Sequence, residues 1–226
     1  MPGFTCPLCG DIARERIQIH DAALRRQRFS ISPIRPTCKT CGSEVACPPS
    51  QDNAQRRILV LTGTCACGKS AIAEYLQDRH GYMAIDGDCV LQVVKARAGR
   101  SVSYDEDAVF DEIRFEIDLA LVLGYDVVLS HMILPAHLAR FREILDHTQA
   151  DYRIFVIHPK LETALARSLT RTCHTGITPE KWVVFFHEQM QPFLDDRYRN
   201  DVTVIDNSDE GLEQTVGRVL AGIGGS

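Results

Sequence analysis

Eight consecutive residues, Gly63, Thr64, Cys65, Ala66, Cys67, Gly68, Lys69 and Ser70, fit the spacing Gly-x-x-x-x-Gly-Lys-Ser/Thr. Glycine at both ends lets the chain bend so tightly that successive backbone N–H groups converge on one anion. A helix starting at Lys69 would add the partial positive charge of its N-terminus. The Lys69 ammonium suits the gap between β- and γ-phosphates, and the Ser70 hydroxyl suits Mg²⁺. The setting agrees with this chemistry: an apolar run over 58–62 precedes the loop, and Ile72, Ala73 and Leu76 follow at helical intervals. The expectation is a nucleoside triphosphate site. Guanine recognition would need Asn-Lys-x-Asp, which the sequence lacks.

A second chemistry is written in the cysteines. Cys6-Pro-Leu-Cys9-Gly and Cys38-Lys-Thr-Cys41-Gly are two Cys-x-x-Cys turns, each followed by glycine. Each turn can aim two thiolates at one ion, so the pair completes a tetrahedral four-sulfur shell. Such a closed site is structural, and it favours zinc, with iron as the alternative. The pair resembles the knuckles of zinc ribbons and rubredoxin-like modules. Cys65 and Cys67 stand inside the phosphate loop, where backbone is what the anion uses. The histidines at 158 and 187 show no ligand spacing.

The elements that must position these groups follow from patterning. With 226 residues, 45% hydrophobic and 24% charged, the chain has the composition of a folded domain plus a small appendage. Residues 1–57 hold nine Lys and Arg against five Asp and Glu, a balance of +4, which leaves −9 of the net −5 to the remainder. That acidic balance speaks against bulk electrostatic binding of nucleic acid. Polar and proline residues over 48–57 read as a linker between a module at 1–47 and a domain at 58–226. In the latter, strands at 58–62, 82–85, 126–129, 152–157 and 202–205 alternate with helices at 69–79, 105–123, 136–147, 160–171, 179–190 and 209–221. The predicted fold class is α/β, a three-layer sandwich around a five-stranded parallel sheet. Phe185 and Phe186 read as core packing. The most apolar stretch, 117–134, carries Asp118 and Asp126, so no membrane span is expected. The N-terminus has no secretory pattern, and a cytoplasmic location is the default expectation.

With the phosphate loop at the first strand and Asp86-Gly87-Asp88 closing the second, residues 58–222 resemble the P-loop small-molecule kinases. That group is the nucleoside monophosphate kinase-like one, with shikimate-, gluconate- and chloramphenicol-phosphorylating types. The resemblance implies ATP and Mg²⁺, with Asp86 on the metal and Asp88 on the acceptor hydroxyl. The plainer alternative is that the two acids form a turn and cap the next helix. By the same likeness Arg167 and Arg171, at i and i+4 on the helix that leads into a lid over 172–176, close on the phosphoryl group, while Asn207 lies beside the base. Acceptor contacts would come from Arg97, Arg100, Arg114, Ser130 and His131.

The sequence thus points to transfer of a γ-phosphoryl group from ATP to a hydroxyl or phosphate of a small molecule. Two rivals remain open, and beside them a metal-handling NTPase, which would need exchangeable zinc. One is a polynucleotide 5′-hydroxyl kinase that docks through the ribbon; the other is a nucleotide-gated module that binds a protein partner through it.

Overall fold

A computed structural model describes residues 56–95, 105–170 and 179–223 in full, and the backbone of 4–6, 10–12, 17–18, 37–38 and 96–98. The first short strands pair as two antiparallel ribbons. Strand β1 (Phe4–Cys6) runs against β2 (Gly10–Ile12), with Cys6 opposite Gly10. Strand β3 (Ile17–Gln18) runs against β4 (Thr37–Cys38), with Ile17 opposite Cys38.

Five further strands build one parallel sheet: β5 (Arg57–Gly63), β6 (Met83–Asp86), β7 (Val127–Ser130), β8 (Asp151–Ile157) and β9 (Thr203–Ile205). Their order is β6-β7-β5-β8-β9. The central place of β5 follows from its composition, since Ile58 to Gly63 are all buried and only a strand covered on both faces can carry such a run. In the β8–β9 pair Phe155 faces Thr203 and Ile157 faces Ile205.

By internal packing the chain divides into two compact units. One takes in Met1–Arg57, Ile85–Val127 and Glu143–Asp151; the other takes in Ile58–Ala84, Val128–Arg142 and Tyr152–Ser226. The second unit carries helices α1 (Lys69–His80), α5 (Leu161–Leu169), α6 (Glu180–Met190) and α7 (Leu212–Ala221). Ile72, Ala73 and Leu76 of α1 and Val216 and Val219 of α7 close over Leu59, Leu61, Val128, Phe155, Ile157 and Ile205 in one core cluster. Burying side chains of this size gains roughly 1.5–3 kcal/mol each, before chain entropy is set against it. Helix α1 stops at Gly81, whose φ of 74° suits glycine and whose N–H donates to Leu76 O.

The first unit is built on α2 (Gly87–Ala98) packed against α3 (Glu106–Val122), with the end of α4 (Leu138–His147). Asp105 caps α3 by accepting from Ala108 N at 3.1 Å. Helix α2 is a departure from the pattern-based expectation, which places no helix there. It starts immediately after β6, so no polar stretch separates the two elements. Other boundaries move inward: the helix expected over 160–171 ends at Leu169, and that over 209–221 begins at Leu212. A 3₁₀ turn, Pro135–His137, precedes α4. Among the described residues no helix is long and apolar enough to cross a membrane.

Candidate active site: the phosphate loop and its surroundings

The phosphate loop leaves β5 at Gly63 and enters α1 at Lys69. Gly63 has a φ of 138°, and a Cβ there would stand 2.1 Å from Ile157 O, so the position admits glycine alone. Ala66 and Gly68 also take positive φ, 59° and 105°, which coils the intervening peptides into a compact turn. No side chain caps the N-terminus of α1 and no acidic residue stands in its first turn, leaving its N–H groups to an anion.

Lys69 folds over this turn: Nζ donates to Gly63 O at 3.0 Å and to Thr64 O at 2.8 Å, and reaches Cys67 Sγ at 3.5 Å. Thr64 is fully buried, with its hydroxyl donating to Val183 O of α6 at 3.5 Å. Cys67 is buried within the core cluster, and Cys65 is half-buried. Ser70 Oγ lies 3.4 Å from Ser130 Oγ at the end of β7. Ser130, expected at the acceptor, thus has its hydroxyl against the residue suited to Mg²⁺. His131 is buried, and its N–H donates to Leu61 O, prolonging the β7–β5 ladder.

On the far side of the loop, Asn207 follows β9 and is only 4% exposed. Its Nδ2 donates to Cys67 O at 3.0 Å, and Arg167 of α5 donates to Asn207 Oδ1 at 3.2 Å and Asn207 O at 2.8 Å. Next to it Ser208 donates to Asp206 Oδ1 from its hydroxyl and, at 2.9 Å, from its N–H; the hydroxyl first and the N–H after it hold the Asp206 carboxyl below its ordinary range against the opposing effect of burial. Lys160 N donates to Ser208 Oγ at 2.7 Å, tying the β8 and β9 exits together. Beside them His158 and His187 meet edge to face at 4.4 Å. His187 Nε2 donates to Pro159 O at 3.0 Å, whereas His158 Nε2 is buried with no hydrogen-bond partner, and burial, then His187, lowers the His158 pKa.

In the other unit Asp86 closes β6, and its Oδ1 accepts from Asp88 N at 2.9 Å and Cys89 N at 3.2 Å. Asp86 is therefore the N-cap of α2, as the plainer reading of the Asp-Gly-Asp had it. This fixes one carboxylate oxygen and orients the other. Asp88 is exposed in the first turn of α2. Burial, then Asp86 and Asp88, push the Cys89 thiol up to about 12, which keeps it protonated. Arg114 is half-exposed and lies 3.9 Å from Asp111. Arg97 lies on α2; Arg100, Arg171 and the segment 172–176 are outside the described residues, as are Cys9 and Cys41. Cys6 and Cys38 end β1 and β4. Among the described residues no cluster of three or more His, Cys, Asp or Glu forms.

One expectation is overturned. Phe185 is 44% exposed and Trp182 46%, and with Phe186 they form an aromatic cluster on the outside of α6. The core face of that helix is Val183, His187 and Met190. Periodicity places Trp182 and Phe185 off that stripe, which the eye loses in a run of apolar residues.

Solved structures give this arrangement its relatives. A gluconokinase from Sinorhizobium meliloti is similar at 20% identity and a TM-score of 0.54, over 76% of this chain and 92% of that one. The tunicamycin resistance protein of Deinococcus radiodurans is similar at 17% and 0.58, over 75% and 96%. A sugar kinase from Janibacter sp. is similar at 16% and 0.52, over 74% and 93%. The chain shares the fold of the P-loop kinases. No family model matches the sequence, and no curated protein does. At these identities the likeness carries the kinase fold and nothing finer, so the chemistry rests on the side chains.

Proposed function

We propose that the chain is an ATP- and Mg²⁺-dependent kinase that transfers the γ-phosphoryl group to a hydroxyl or phosphate of a small-molecule acceptor. The observation that carries this reading is the glycine-bounded turn between β5 and α1, with Lys69 folded over it and the helix N-terminus uncapped. Those N–H groups would hold the β-phosphate, and Lys69 would exchange the loop carbonyls for β- and γ-phosphate oxygens.

The hard oxygens of Ser70 and Asp86 fit Mg²⁺, which retains water and phosphate ligands beside one or two protein groups. The ion, when bound, neutralises charge on the β- and γ-phosphate oxygens. Asp88 aligns the acceptor hydroxyl and takes its proton as the new O–P bond forms and the bond to the ADP oxygen breaks. Arg171 steadies the equatorial oxygens of the transferring group. Arg97, Arg100, Arg114 and His131 remain the candidates for holding the acceptor.

The N-terminal cysteines are proposed to hold one structural zinc. In support, one cysteine of each Cys-x-x-Cys string stands at a strand end of a short antiparallel ribbon, Cys6 opposite Gly10 and Cys38 opposite Ile17. Labelled ATP, screened against nucleosides, nucleotides, sugars, sugar acids and antibiotics, tests the kinase. Transfer to at least one class, abolished by Lys69→Ala, is the expected result; transfer that survives Lys69→Ala would overturn the site.

A further inference from the structure

The carbonyl of Cys67 is gripped from outside the phosphate loop. Asn207 Nδ2 donates to it at 3.0 Å, and Arg167 Nη1 reaches it at 3.5 Å. Arg167 also orients the amide, since Nη1 donates to Asn207 Oδ1 and Nη2 to the Asn207 backbone oxygen. A guanidinium only donates, so the amide oxygen must face it and the NH₂ end must face Cys67.

The peptide bearing Cys67 O also bears the N–H of Gly68. That unit is planar and trans, so an oxygen held outward fixes the N–H in the opposite direction. Gly68, at a φ of 105°, has no side chain to resist a flip of this peptide. Asn207 thus fastens a peptide whose glycine leaves it free to turn.

We propose that Asn207 and Arg167 are positioning residues, which pin the Cys67–Gly68 peptide so that the Gly68 N–H is committed to the polyphosphate. This rests on the phosphate-loop reading and goes beyond it: Asn207 serves the anion through the loop, not the base by contact. Arg167 and Asn207 are 40 residues apart in the chain, and the peptide they govern belongs to neither of their elements.

Calorimetry on the full, metallated chain separates the two roles with two probes, MgATP and magnesium tripolyphosphate, which has no base. Asn207→Ala should weaken both by a similar factor, about tenfold for one lost hydrogen bond. Loss confined to MgATP would assign Asn207 to the base and overturn the proposal, and so would unchanged affinity for both. Should Asn207→Ala fail to fold, Arg167→Lys carries the same test. It keeps the charge but cannot span both Asn207 oxygens, so a smaller loss shared by both probes is expected, and a base-selective loss overturns. In glycine-labelled protein the Gly68 amide resonance should move on adding tripolyphosphate, and move less in either variant. A wild-type chain that binds neither probe would instead sink the phosphate-loop reading itself.

Discussion

Gly63 combines a left-handed backbone with an impossible clearance, since a Cβ on it would come within 2.1 Å of Ile157 O. Gly63→Ala should therefore cost roughly 2–4 kcal/mol in urea unfolding and remove MgATP binding, because the loop and β8 must separate. An alanine variant with unchanged stability would contradict the close approach of loop and strand. Asp88 stands exposed beside its capping neighbour, so Asp88→Asn should fold normally and lower turnover about a hundredfold or more while ATP affinity holds. Equal losses in turnover and affinity would move Asp88 from the acceptor to the nucleotide. At this scale the sequence is legible where one short string carries the geometry, as from Gly63 to Ser70. It is silent where partners meet only through the fold, as Asn207 does with Cys67 and Ser70 with Ser130.

Among the elements, α3 holds a liability. Asp118 is 6% exposed, its Oδ1 has no hydrogen-bond partner, and burial raises its pKa to about 6 against the opposing pull of His147 and Arg114. Between about pH 4 and 6 the folded chain keeps a proton that the unfolded chain has released, so stability falls as pH rises through that window. Asp118→Asn should then gain up to about 3 kcal/mol near pH 7.5 and little near pH 4, read from urea unfolding at both. An equal gain at both would show that charge is not the cause. His158 acts with the opposite sign. Its lowered pKa means that below its ordinary 6.5 the unfolded chain takes up a proton first, so stability is lost as pH falls. His158→Phe should flatten that acid limb in the same measurement; an unaltered limb would place the sensitivity elsewhere. Helices α1 and α3 are readable from apolar spacing. Helix α2 is not, because Asp86 ends one element and caps the next without an intervening loop.

For the whole molecule, the order β6-β7-β5-β8-β9 places the phosphate loop on the middle strand, and the run of six buried residues in β5 agrees with that place. The N-terminal module is a separate matter of metal. Cys38→Ser should lower bound zinc from one equivalent per chain to near none, measured by elemental analysis, and full occupancy after that change would refute the four-thiolate shell. The single tryptophan of the chain, Trp182, lies one residue from Val183, whose carbonyl receives the Thr64 hydroxyl from the loop. Half in solvent and 5.7 Å beneath the Lys181 ammonium, that indole is a resident optical gauge of whatever enters beside it, and its emission can follow ligand arrival without a dye.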